Sequence, residues 1–332
     1  MVTAALIWFI ANAHALQAAD SLPSCSQLTI PAGYACSETG QLRIVAPPSQ
    51  LSAVRSMAED AYRTYFDRTG LASAPFMVVI GRAAEPSLKE AIGDDHQVFF
   101  WPSETEFAAD IERALEREIS RAPGFTEQQR RHALERVRGS VLDAGSGASR
   151  YAGIVAHELC HVLWHGDVER AHGRRDNDGY GTHFADWADE VAAIICEPPS
   201  LTAVRRADLA RVVASGQRPT LASLIASRHP RASGPGPHQL ESGEVGIRVT
   251  VRAAQSGTST ANAFYALLRG LVDFADGRGA QAIGSLLRRL VQEGRPITVE
   301  RLAETLGANN SSDLEAEWQS FLESLAQSKA RT

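Results

Sequence analysis

The feature that most constrains this chain is a pair of histidines four residues apart inside an apolar segment. His157-Glu158-Leu159-Cys160-His161 is flanked by Ile154-Val155 on one side and by Val162-Leu163 on the other. That pattern predicts a helix over 150–164 that lies against the core and not on a solvated surface. Residues four apart share one face of an α-helix, about 6 Å apart along its axis. The two imidazoles therefore aim at one point. Burying two histidines and a glutamate is costly unless they are paired or bind a metal.

Neutral imidazole is a good zinc ligand, and two from one rigid helix lose little freedom on binding. Glu158 stands next to the first ligand, within reach of a water on the metal. Zinc lowers the pKa of such a water toward about 7, and a neighbouring carboxylate can take its proton as it attacks a carbonyl. The spacing thus puts two ligands and one base on little more than a turn of helix.

A catalytic zinc needs a third protein ligand and an open fourth position. His161 is followed by Val-Leu-Trp-His-Gly, so the longer pattern with a third histidine after a glycine is absent. His165 lies too far along a straight helix to reach the same ion. The next predicted helix, 183–196, supplies a better candidate. Phe184, Trp187, Val191 and Ile194 form its apolar stripe. Glu190 lies about 60° to one side of Trp187 on a helical wheel, with Asp186 on that same edge. Glu190 is the expected third ligand. Asp186 is expected to orient a ligand histidine, and Asp189 is expected to face water. His183 and His172 are the alternative ligands.

The front of the chain reads as strands at 41–46, 75–80 and 96–101, with helices at 50–68, 104–120 and 126–142. Strand 96–101 is either a sheet edge on which a peptide can lie extended or a central strand. Residues 167–182 read as a loop. From 205 onward the pattern is helical, at 205–215, 219–228, 260–276, 279–294, 298–306 and 311–326. A Gly/Ser/Pro-rich stretch at 233–261 interrupts it, with a short strand at 245–249.

An apolar run from Ala4 to Ala15 ends in Ala13-His14-Ala15, which offers small residues to a signal peptidase, with Ala18 as a second site. The run is shorter than the roughly 20 residues a bilayer span needs. Export makes the cysteines informative. Cys25 and Cys36 can close a small loop, and a Cys160–Cys196 bridge would staple the two helices of the motif. The net charge of −6 argues against nucleic-acid binding, which needs a concentrated basic surface.

His157-Glu158-Leu159-Cys160-His161, followed by Asp186-Trp187-Ala188-Asp189-Glu190-Val191-Ala192-Ala193, resembles the gluzincins, zinc peptidases of the peptidase MA-like branch. There the glutamate helix typically reads Trp-x-x-Glu-Gly-x-Ala. Trp187 and Glu190 match that spacing. Val191 replaces the glycine, and Ile194 stands where an aspartate would follow Glu190 by four. Outside the two helices the resemblance runs loosely over 75–325, through Phe264-Tyr265, Val272-Asp273-Phe274 and Leu314 to Trp318.

The resemblance implies an α+β fold. A zincin-like front lobe with a small mixed sheet and active-site helix would precede an all-helical rear lobe, with Zn2+ in the cleft between them. The implied organisation is a signal peptide at 1–18, an N-terminal extension at 19–40, a catalytic lobe at 41–200 and a helical lobe at 201–332. With the exported N-terminus read above, which leaves no stable membrane span after signal cleavage, it implies a secreted or periplasmic metallopeptidase acting on a peptide or protein substrate. His157, His161 and Glu190 would hold the metal, and Glu158 would be the base. Tyr265 would donate to the oxyanion, with His229 and His238 as alternatives. A zinc amidase acting on cell-wall peptides, and an envelope protein that keeps the shape only for binding, are the other readings of the motif.

Overall fold

Phe76-Met77-Val78-Val79-Ile80 is apolar at every position, so a strand made of it must be covered on both faces. A computed structural model describes residues 22–330, apart from 73, 93–96, 122–125, 130, 133–134, 136–146, 174–181, 230–259 and 280. In it this segment is β3 (Phe76–Ile80), an inner strand with all five residues fully buried. The sheet order is β1-β2-β3-β4. β1 (Ala35–Thr39) is antiparallel to β2 (Leu42–Ala46), while β2, β3 and β4 (Val98–Trp101) are parallel. The expected signal peptide, strand 245–249 and most of helix 126–142 lie outside the described residues.

Strand alternation sorts the side chains onto two faces. Leu42, Ile44, Phe76, Val78, Ile80 and Phe99 join the main core. Val45, Met77 and Val79 face the other way, where Leu22, Leu28, Leu88 and Ile92 cover them. That cover comes from the N-terminal segment, tied to β1 by the Cys25–Cys36 disulfide, and from α2 (Glu85–Ile92). The stretch 35–39, read from sequence as part of an extension, therefore forms a sheet strand. Ala-Cys-Ser-Glu-Thr has no apolar alternation to reveal this; pairing with β2 makes it a strand.

α1 (Pro48–Thr69) connects β2 to β3 and ends at Gly70, whose left-handed φ of 64° suits a glycine. α3 (Glu104–Arg121) follows β4. The motif helix, α4 (Gly147–His172), is longer than 150–164 predicts. Gly166 does not stop it; the glycine leaves room for the Gln97 side chain to lie directly against the helix. Just beyond, Tyr65 on α1 donates a 2.7 Å hydrogen bond to buried Asp167. Tertiary packing thus extends the helix through a stretch whose composition reads as loop.

α5 (Asp186–Ile194) carries the second half of the motif. Pro199 opens α6 (Pro199–Ala214) at a position where its missing N–H costs nothing, so the Pro-Pro pair both stops one helix and starts the next. α7 (Leu221–Ile225), α8 (Thr260–Asp276), α9 (Ala282–Glu293), α10 (Val299–Thr305) and α11 (Ser311–Ala330) complete the helical half. One continuous apolar core runs from the sheet through α4 and α5 into α8, α9 and α11. The two motif helices therefore sit in the middle of the molecule, and the Cys160–Cys196 disulfide joins them. Among the described residues no helix is long and apolar enough to cross a membrane.

The seat of α9 on α1 is tight. A Cβ added at Gly284 would lie 1.7 Å from the Arg68 carbonyl oxygen. Gly284→Ala should therefore destabilise the protein by about 1–3 kcal/mol. Urea unfolding with an unchanged slope would read this as a lower midpoint; an unmoved midpoint would contradict the close approach.

Candidate metal centre

α5 has no solvated side: every residue from Trp187 to Ile194 is buried, between α4 and the helical half. This decides where its two adjacent carboxylates go. Glu190 points at α4, fully buried. Its Oε2 lies 3.3 Å from His157 Nε2 and 3.6 Å from His161 Nε2. The two imidazoles meet edge to face, with ring centroids 4.9 Å apart. Among the described residues, His157, His161 and Glu190 form a buried group that could hold a metal ion, their ligand atoms all within 4.8 Å of one another.

The electrostatics of this group favour a cation. Burial pushes the His157 imidazole down, but the carboxylates of Glu190 and Glu197 outweigh it and hold it at about 10. His161 is raised against the same burial by Glu190. Burial pushes the Glu190 carboxyl up, yet His161 and His157 keep it well below the usual range. A divalent ion would sit where these opposite charges now meet, and two imidazoles with one carboxylate are a donor set that suits zinc.

Glu197 was not anticipated from sequence. It is fully buried three residues past the end of α5, and its Oε1 accepts from His157 Nδ1 at 3.0 Å. A carboxylate on Nδ1 fixes the proton there and leaves the Nε2 lone pair for a metal. Arg205 Nε, 3.2 Å from the same oxygen, holds the carboxylate in turn. Glu197, where Asp186 is expected from the sequence, is thus the carboxylate bonded to His157. Asp186 Oδ2 instead accepts the His229 backbone N–H at 2.5 Å. One signal was available. Glu197 is seven residues after Glu190, two helical turns on, and directly follows the buried run Val191–Cys196.

Asp189 also departs from expectation. It does not face water; it is fully buried. It accepts from Trp164 Nε1 at 2.6 Å and from Thr182 Oγ1 at 2.8 Å. Burial raises its carboxyl to about 6, against the pull of the Thr182 bond. A helical wheel assumes one wet face, and α5 has none. His172 and His183 lie outside the metal group; their rings meet at 5.6 Å, and His172 Nε2 contacts the Val291 carbonyl at 2.6 Å. His165 is outside it as well, 3.8 Å from Asp189 and pushed down to about 4 by burial and by His161. His238 lies outside the described residues.

Glu158 is half-buried and opens onto a cleft of about 430 Å³. His161, Val162 and His165 of α4 line one wall, and Phe99 and Trp101 of β4 line another. β4 is the edge of the sheet, not a central strand. The carbonyls of Gln97 and Trp101 accept from β3 and its following turn, so the N–H and C=O of Val98 and Phe100 face away from β3, along the open edge. Tyr265, on α8, flanks the other side of the group: its ring lies 5.9 Å from that of His157, and its hydroxyl is 2.9 Å from His229 Nε2. No protein-family model, no curated protein and no solved structure matches this chain.

If Glu197 sets the His157 tautomer, Glu197→Gln should weaken zinc binding by about 10–100-fold. Glu190→Ala, which removes a ligand, should weaken it further. Competition against a chromophoric chelator measures both. Wild-type affinity in Glu197→Gln would contradict the orienting role.

Proposed function

We propose that this chain is a zinc-dependent metallopeptidase of the gluzincin type, with its zinc between a zincin-like front half and a helical rear half. The observation that carries the reading is the convergence of Glu190 on the histidine pair of α4 inside the core. Three protein ligands leave a fourth position for solvent or substrate, which is the arrangement of catalytic and not structural zinc. When bound, zinc would supply Lewis acidity, lowering the pKa of a water and polarising the scissile carbonyl.

In this reading the chain's own residues divide the rest of the work. His157 and His161 present Nε2 from one rigid helix, and Glu197 keeps the first of them in the ligating tautomer. Glu158, next to His157 and open to the cleft, takes the proton of the attacking water and passes it to the departing amine. The Tyr265 hydroxyl donates to the oxyanion that forms on the former carbonyl. A peptide substrate lies extended along β4, pairing with the outward peptide groups of Val98 and Phe100. Main-chain pairing recognises a polypeptide irrespective of its sequence, so the apolar wall of Phe99, Trp101 and Val162 is left to select side chains.

A secreted or periplasmic location goes with this function. Two disulfides persist where thiols are oxidised, and both are formed here.

Glu158→Gln separates binding from chemistry. The variant should keep one zinc per chain and lose peptide hydrolysis by about 10²–10⁴-fold, read by mass spectrometry of a peptide library. Chelation should abolish wild-type cleavage and added zinc should restore it. Hydrolysis at the wild-type rate by Glu158→Gln would remove Glu158 as the base.

A further inference from the structure

The Cys160–Cys196 disulfide reaches the metal group from both of its halves. Cys160 stands between the two histidines of α4, three residues after His157 and one before His161. Cys196 stands directly before Glu197, the partner of His157, and six residues after Glu190. Both cysteines are buried in the main core. The other disulfide, Cys25–Cys36, fastens the N-terminal segment to β1, on the sheet face away from α4.

The two halves of the group are held by different means. The long helix α4 sets the spacing of His157 and His161 by itself, with or without a crosslink. Glu190 and Glu197 come from a separate and much shorter segment. α5 has nine residues and ends at Ile194, so Glu197 lies beyond it. There the Cys196 N–H bonds the Ala193 carbonyl at 3.1 Å and the Glu197 N–H bonds the Ile194 carbonyl at 3.2 Å, a single closing turn. A helix this short has little stability of its own. Its seat against α4 comes from apolar packing and from the disulfide. Packing opposes separation of two helices but allows small slides and rotations between them. A metal tolerates little such movement, because its ligand distances are narrowly set. A crosslink one residue from His161 and one from Glu197 removes that movement before an ion arrives, which lowers the ordering cost of binding it. The effect is reciprocal by linkage. An ion that ties Glu190 to both histidines holds α5 on α4, and so keeps the two sulfurs together.

We propose that Cys160 and Cys196 are a positioning pair for the metal group, so that formation of their disulfide and binding of zinc favour each other. The chain then binds zinc tightly only once the bond has formed, after it reaches an oxidising compartment. Bond formation joins two thiols by exchange with an external disulfide, which takes up the two electrons and two protons and leaves as two thiols. The proposal rests on the zinc reading of His157, His161 and Glu190 and not on peptide hydrolysis.

Two measurements on the full-length protein test it. In the first, competition against a chromophoric chelator gives the zinc affinity of the wild type, of Cys160→Ala/Cys196→Ala and of Cys25→Ala/Cys36→Ala. Loss of the helix crosslink should weaken zinc binding about tenfold or more, and loss of the N-terminal one should leave it within about twofold. The second uses unmutated protein, so it holds even where a variant fails to fold. A water-soluble phosphine reduces each disulfide, taking its oxygen from water while the two thiols take the hydrogens. Differential alkylation and mass spectrometry follow the two pairs separately. Added zinc should slow reduction of Cys160–Cys196 about tenfold or more and change that of Cys25–Cys36 by less than about twofold. Wild-type zinc affinity in Cys160→Ala/Cys196→Ala would overturn the proposal. So would an equal loss in both double variants, or an equal effect of zinc on both disulfides. Failure of the oxidised wild type to bind zinc at all would instead reject the metal reading, and the proposal with it.

Discussion

The structure depends on one carboxylate in the core. Glu190 is fully buried beside two buried imidazoles, and no single member of that trio would be tolerated there by itself. Removing an ion from water costs several kcal/mol even after relaxation, and only a well-placed opposite charge or a metal offsets it. The surrounding fold is arranged to keep the partners in register. α4 fixes the spacing of the histidines, the Cys160–Cys196 disulfide ties α4 to the end of α5, and Glu197 follows that disulfide directly. Tyr65 and Asp167 fasten the far end of α4 to α1.

From this core outward the interactions form a ring of contacts. Glu190 meets His157 and His161; His157 meets Glu197; Glu197 meets Arg205; Arg205 covers Tyr265; Tyr265 meets His229; His229 returns to Glu190. The ring draws on α4, α5, α6 and α8, so it closes only where these helices pack together. The continuous apolar core between the halves serves that purpose. It gives each polar side chain a fixed backbone.

Much of this was legible in the sequence, for identifiable reasons. His157 and His161 were readable because helical spacing is a local property. Glu190 was readable because it borders an apolar stripe. Asp189 was misread by the same logic, since a wheel has no way to represent a helix covered on all sides. Glu197 lies beyond the helix, where periodicity stops carrying information, and its role depends on a contact with a residue 40 positions away. The sheet order was not readable either. β1 is a polar strand made by its neighbour, and the edge position of β4 is fixed by pairing with β3. The extension of α4 past Trp164 rests on Tyr65 and on the fit of Gln97 against Gly166, both of them long-range contacts.

X-ray absorption at the zinc edge of the stoichiometrically loaded protein tests the convergence of the three side chains most directly. The account predicts two imidazole nitrogens and light oxygen scatterers at about 2.0–2.2 Å, with no sulfur shell, and loss of an oxygen scatterer in Glu190→Ala. A sulfur shell near 2.3 Å, a single imidazole, or an unchanged spectrum in Glu190→Ala would contradict it.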